Sequence, residues 1–313
     1  MLRFDGLRKR FGDLQALDGV SFEVSQGEVF GFLGANGAGK TTSMRIALGF
    51  LRADEGDVRW LDRPTRTWPR RTFGYMPEER GLYLRMPILE QLVYYATLYG
   101  LPRAEARRAA REWLARFRLA DRADQRAESL SKGNQQKVQF IATILHDPDV
   151  VLMDEPFAGL DPVNVSLLKA AFLELRDRGK TIVFSTHQLE MAEELCESVA
   201  IIDHGRIVTT GPTREVKRST GRQVVRLATS RDGDIRWLKS LPHVVVTRPG
   251  EDYTELRVEG GGDPQDVLRA AMSHGGDVLR FEVADPSLEE VFVERVGALD
   301  HEERTLASVG EAS

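Results

Sequence analysis

The octapeptide Gly34-Ala35-Asn36-Gly37-Ala38-Gly39-Lys40-Thr41 fits the pattern G-x-x-x-x-G-K-[ST] without departure, and no other stretch constrains the fold as tightly. It follows Val29-Phe30-Gly31-Phe32-Leu33, an apolar run that reads as a buried strand, and precedes helical spacing over Lys40–Phe50. Strand, glycine loop and helix in that order aim backbone N–H groups and the positive end of a helix dipole at one point. That point suits the β- and γ-phosphates of a nucleoside triphosphate. In this pattern Lys40 bridges the outer phosphate oxygens and the Thr41 hydroxyl ligates Mg²⁺. The expected nucleotide-binding residues of the loop are therefore Gly34, Asn36, Gly37, Ala38, Gly39, Lys40, Thr41 and Thr42.

A second element supports the first. Val150-Val151-Leu152-Met153 is a short apolar strand ending in the carboxylates Asp154 and Glu155. Beside a phosphate loop, Asp154 is placed to hold Mg²⁺ as a Walker-B aspartate does, and Glu155 to act as base toward the attacking water. Thr181–Ser185 reads as another buried strand, and helices are expected at Pro162–Arg178 and Gln188–Cys196. Ser198–Asp203 and Arg206–Val208 form a predicted hairpin through His204-Gly205. Residues 57–61 and 72–76 read as short strands. From Pro87 to His146 the pattern is helical, and Ala106, Ala110, Trp113, Leu114 and Phe117 share one apolar face, which marks the two aromatics as core. The alternation of strands and helices implies a largely parallel sheet with its active loops at the strands' carboxyl ends.

Composition narrows the class. The 313 residues carry 43 Lys and Arg against 48 Asp and Glu, a net charge of -5, which gives no support for a nucleic-acid partner. The single cysteine, Cys196, excludes an internal disulfide and reads as a small buried thiol. The start Met1-Leu2-Arg3-Phe4-Asp5 is not a signal segment, and no run reaches the roughly 18 apolar residues of a membrane span. The expectation is a cytoplasmic protein whose membrane role, if any, comes through a partner. His146 and His204 read as surface residues.

After about Pro212 the character changes to a β-α-β-β-α-β order, with strands at 224–227, 244–247, 253–258 and 278–283 and helices at Ile235–Leu241 and Pro264–His274. This predicts a small α+β, ferredoxin-like domain. A last helix is expected at Ser287–Val296. The predicted organisation is an α/β P-loop domain over 1–217 with a helical subdomain at about 87–146, the small domain over 222–297, and a disordered tail at 298–313.

The discriminating segment is Leu130-Ser131-Lys132-Gly133-Asn134-Gln135-Gln136-Lys137, which precedes the Walker-B strand by about a dozen residues. It resembles the LSGGQ signature of ABC ATPases. A helix beginning there lets the Ser131 hydroxyl and Gly133 N–H hold a phosphate. In the resembled family that γ-phosphate belongs to ATP on the opposing subunit, so the resemblance implies a dimer with ATP at its interface, homodimeric or paired with a related ATPase. Family likeness also marks Phe11 as the aromatic stacking on adenine, Asp161 in Gly159-Leu160-Asp161 as the residue communicating across the dimer, and His187 as the switch histidine contacting the γ-phosphate.

Two positions depart from that pattern. Glu78 in Tyr75-Met76-Pro77-Glu78-Glu79 stands where the family has Gln, as a carboxylate able to ligate Mg²⁺ or orient water. Lys132 and Asn134 replace signature Gly and Gln. These departures, with Pro286-Ser287-Leu288-Glu289-Glu290-Val291-Phe292, resemble a bacterial subgroup of sodium- and drug-export ATP-binding subunits. The resemblance implies ATP hydrolysis that energises a separate integral membrane permease through the Glu78 loop and the segment 87–146, where Tyr94, Tyr95 and Tyr99 either line a docking groove or pack between helices. The rival reading is a soluble ABC ATPase acting on ribosomes or DNA. A single cassette, the absence of sustained heptads and the acidic balance weigh against it.

Overall fold

The computed structural model describes residues 1–79, 81–230, 236–250, 252–274 and 277–296. The chain divides into two compact units, Met1–Gly211 and Pro212–Ser313.

The first unit holds two sheets. Strands β1 (Leu2–Phe11), β2 (Leu14–Val24), β4 (Glu55–Trp60) and β5 (Arg63–Pro64) form an antiparallel sheet in the order β2-β1-β4-β5. The second sheet contains β3 (Val29–Leu33), β6 (Phe73–Met76), β7 (Val150–Asp154), β8 (Thr181–Thr186), β9 (Ser198–Asp203) and β10 (Arg206–Pro212), in the order β10-β9-β3-β8-β7-β6. From β9 to β6 every pairing is parallel. Strands β3, β7 and β8 are buried along their whole length, as the near-continuous apolar runs of a covered parallel sheet require. Phe4, Val20 and Phe22 of one sheet meet Phe30, Phe32, Leu152 and Val183 of the other, with Met44 and Ala47 of α1 (Lys40–Ala47) closing the core.

The helical segment comprises α2 (Ile88–Leu98), α3 (Arg103–Arg116) and α4 (Lys132–Ile144), joined by short 3₁₀ turns rather than continuous helix between 117 and 131. Trp113 and Phe117 are buried and belong to an aromatic chain through Phe140 and Phe172 to Phe184, which ties the segment to α5 (Pro162–Asp177) and β8. Helix α6 (Leu189–Leu195) ends at Cys196, whose thiol is buried as expected and pushed well above its ordinary pKa by that burial.

Strand β1 was not predicted. Its Leu2, Phe4 and Leu7 are buried between β2 and β4, but bulges in its pairing break the strict alternation that sequence reading relies on. A second correction concerns His146, which is buried rather than on the surface. It stacks on Tyr99 with ring centroids 3.8 Å apart, and its Nε2 donates to Phe73 O at 3.1 Å. His204 is exposed, in the two-residue turn between β9 and β10.

The second unit begins with α7 (Thr213–Arg218) and contains β11 (Gln223–Thr229), β12 (Val244–Arg248), β13 (Thr254–Val258), α8 (Pro264–Ser273) and β14 (Val278–Ala284). The all-antiparallel order β12-β13-β11-β14 is that of a ferredoxin-like sheet. The expected first helix is a 3₁₀ segment over Arg236–Ser240, whose Leu238 joins Val267 and Ala271 of α8 in the core. A last helix spans 288–296. The predicted tail, 298–313, lies outside the described residues.

Candidate active site

Four parallel neighbours, β3, β8, β7 and β6, deliver their carboxyl-terminal loops to one edge of the sheet. The loop after β3 is forced to be glycine at two points. A Cβ on Gly34 would stand 2.3 Å from Ile202 O, and Gly39 has φ +113° with Leu17 Cδ2 2.6 Å from where its Cβ would be. Gly39 is the N-cap of α1 and offers no side-chain cap, so the first N–H groups of the helix keep their capacity for an anion.

A cavity of about 500 Å³ opens over this loop, lined by Phe11, Leu14, Gln15, Ala16, Asn36, Gly37, Gly39, Lys40, Thr41, Thr42, Glu78, Asp154, Glu155 and His204. Ten expected site residues are thus gathered in one place. Gly34 and Ala38 instead support the loop from below, Gly34 against β9 and Ala38 through its carbonyl, which accepts from Gly205 N at 2.9 Å. Phe11 is 46% exposed at the cavity wall, with Lys9 Nζ 5.5 Å from its ring centroid.

Charge is concentrated inside. Lys40 is 6% exposed, Asp154 1% and Glu155 5%. Lys40 Nζ donates to Gly34 O at 2.7 Å and Ala35 O at 3.0 Å. Burial pulls its ammonium below the ordinary value, while Glu155, Asp154 and Glu78 oppose that pull. Thr41 Oγ1 donates to Asp154 Oδ2 at 2.5 Å across 113 residues of sequence, and Ser185 Oγ donates to the other oxygen, Oδ1. A hydroxyl and a carboxylate converging at one point form a hard-oxygen pair that fits Mg²⁺. That ion takes one or two protein oxygens and fills its shell with water and phosphate. Among the described residues no cluster of three or more His, Cys, Asp or Glu fit for a metal occurs.

Glu155 holds a strained backbone, φ +49°, fixed by its N–H donating to Ser185 O at 3.1 Å. Its carboxylate accepts from His187 N at 3.0 Å and lies 2.8 Å from His187 Nδ1. Sequence reading gave no role to Ser185, yet the parallel register pairing Asp154 with Ser185 makes it the neighbour of the Asp154 carboxylate. Gln136 was likewise missed; its buried Nε2 donates to Pro156 O at 3.1 Å.

Ser131, Gly133, Asn134 and Asp161 stand outside this cavity. Ser131 is exposed and N-caps α4, accepting from Asn134 N at 3.4 Å. Gly133 faces the Gly159–Asn164 stretch, where a Cβ would meet Leu160 Cδ2 at 3.5 Å. Asp161 N-caps α5 through Asn164 N at 3.0 Å, a bond that holds its carboxyl below the usual range.

Residues 17–158 match the family described as ABC transporter, and residues 211–296 the ATP-binding protein DrrA1-3-like C-terminal domain. The chain is 42% identical over 299 residues to the uncharacterized ABC transporter ATP-binding protein YhaQ of Bacillus subtilis, covering 96% of this chain and 99% of that one. This chain belongs to the ABC transporter ATP-binding proteins. As a member it is an ATPase. The Nod factor export ATP-binding protein I of Ralstonia nicotianae is 33% identical over 305 residues, covering 95% of this ABC protein and 94% of its own length. A solved ATP-binding subunit of an ABC transporter superposes with a TM-score of 0.66 at 33% identity, over 71% of this chain and 93% of that structure. Among the described residues no helix is long and apolar enough to cross a membrane.

Proposed function

We propose that the chain works in pairs, each ATP being held by the phosphate loop of one copy and the Ser131 segment of the other, and that closure of the pair drives an export permease. The observation that carries this reading is the separation within one chain. The signature helix presents an exposed Ser131, while the residues for phosphate, metal and water gather in a different cavity.

In this reading Phe11 stacks on the adenine, and Lys40 exchanges the loop carbonyls for outer phosphate oxygens. Thr41 and Asp154, with Glu78 beside them in the cavity, hold Mg²⁺, which supplies positive charge against the phosphates. Glu155 orients a water and takes its proton as the water oxygen bonds to the γ-phosphorus and the bond to ADP breaks. His187 keeps the Glu155 carboxylate in place and senses the γ-phosphate. Asp161 carries the state of one site across the dimer.

Export is supported by the family of relatives, one of which is named for Nod factor export. The permease contact is assigned to the face carrying exposed Tyr83 and Tyr94, next to a cavity of about 190 Å³ lined by Tyr95, Tyr99 and Gly81. A permease seated there would hold the ATPase on the inner face of the membrane.

Glu155→Gln tests the pairing. The variant is expected to bind ATP, lose about 10²- to 10⁴-fold in turnover and elute as a stable dimer with ATP. A monomer at saturating ATP, or a variant with ordinary turnover, would overturn the reading.

A further inference from the structure

Strand β6 is an edge of the parallel sheet, so every second carbonyl along it points away from β7. Helix α4 covers that edge with polar side chains rather than apolar ones. Gln136, Gln139 and Thr143 share one buried face at helical spacing, and His146 continues it just past the helix end. His146 Nε2 donates to Phe73 O at 3.1 Å and Thr143 Oγ1 to Tyr75 O at 3.3 Å. Gln139 Nε2 donates to Pro77 O at 2.6 Å and also to Glu79 O at 3.3 Å. One amide therefore grips the carbonyls on both sides of Glu78.

Gln139 is 4% exposed, and its Oε1 has no hydrogen-bond partner among the described residues. A buried amide that leaves its oxygen unmatched costs about 1–3 kcal/mol, so the site is organised around the donor end. Glu78, between the two gripped carbonyls, reaches the nucleotide cavity. We infer that Gln139 is a positioning residue for Glu78, fixing where that carboxylate stands relative to Asp154 and the metal point. Hydrogen-bonded supports of this kind orient metal-site oxygens in general. The same helix is N-capped by Ser131, about 12 Å away along its axis at 1.5 Å per residue, so one helix connects the signature segment with the residue that grips the Glu78 loop. The inference rests on reading Glu78 as a metal-site carboxylate.

The test is Mn²⁺ affinity, read as loss of the free-ion EPR signal, in full-length Glu155→Gln protein kept in excess over ATP. Glu78→Gln is expected to weaken Mn²⁺ by about fivefold, Gln139→Met by about threefold, and the two together no more than Glu78→Gln alone, because the second acts only through the first. Multiplying effects, about fifteenfold for the pair, would reduce Gln139 to packing and overturn the inference. So would an unchanged affinity in Gln139→Met while Glu78→Gln weakens it. An unchanged affinity in Glu78→Gln would remove Glu78 from the metal site and overturn both readings together. Gln139→Asn, which keeps the amide but withdraws it by one methylene, repeats the measurement if the methionine variant does not fold.

Discussion

In the first unit Lys40, Asp154 and Glu155 sit inside the protein and face an open cavity, whereas in the second unit charges pair across a half-exposed sheet face. There Arg226 reaches Glu255 at 3.4 Å and Glu282 at 3.1 Å, and Arg280 lies 4.8 Å from the Tyr253 ring centroid. The second unit holds these charges in surface ion pairs, over a hydrophobic cluster that runs from Val225 and Leu256 to Val267. The first unit leaves a buried ammonium on loop carbonyls and a buried carboxylate on a hydroxyl, arrangements that a phosphate and a cation can replace. Buried charge is expensive unless paired. Buried charge gathers around Lys40, Asp154 and Glu155 in the first unit, whereas among the described residues of the second unit no charged side chain is buried.

The largest test of this contrast is Lys40→Ala. It removes the charge from among three carboxylates and is expected to cut ATP turnover by about 10²- to 10³-fold, with nucleotide binding lost in parallel. Ordinary ATPase activity in that variant would break the comparison at its first term.

A smaller effect belongs to His146. Burial holds its imidazole down to about 4 from an unfolded value of 6.5, with the hydrogen bond to Phe73 O opposing the shift. The folded form therefore stays neutral while the unfolded chain takes up a proton. Stability is full above about pH 6.5 and falls as the pH drops toward 4, by a maximum of order 3 kcal/mol. Thermal melts across that window should flatten in His146→Gln, which keeps a donor for Phe73 O but does not titrate; an identical acid limb would remove His146 from the account.

The smallest expected effect is that of Arg226→Ala in the second unit. Surface pairs of this kind contribute up to about 1 kcal/mol, so a denaturant melt should move little and ATPase activity should stay within about twofold. A loss of several kcal/mol would show that the two units do not differ in the way described.

The polar-loop chemistry was legible because it is local. Gly34 to Thr41 follows a buried strand and opens a helix, and Asp154-Glu155 closes another strand, so type, spacing and context lie within a few residues of each other. The four-stranded order of the second unit was legible for the same reason, since hydrophobic alternation and turn residues mark each strand. His146 and Gln139 were not legible. Their burial depends on an edge strand more than 60 residues away that needs its carbonyls capped, and a polar side chain in a helix gives no sign of that demand. Strand β1 was hidden because its bulges interrupt the two-residue period.

Sequence by itself therefore determined the nucleotide loop, the carboxylate pair, the signature segment and with them the family, all short-range patterns set by backbone chemistry. Only the tertiary structure brought Thr41 onto Asp154, set Ser185 beside that carboxylate and His187 onto Glu155, and kept Ser131 out of the cavity that Thr41, Asp154 and Glu155 line. Those relations follow from strand order and register in a parallel sheet, where crossovers separate neighbours by tens of residues, and distance along the chain carries no record of which loops will meet.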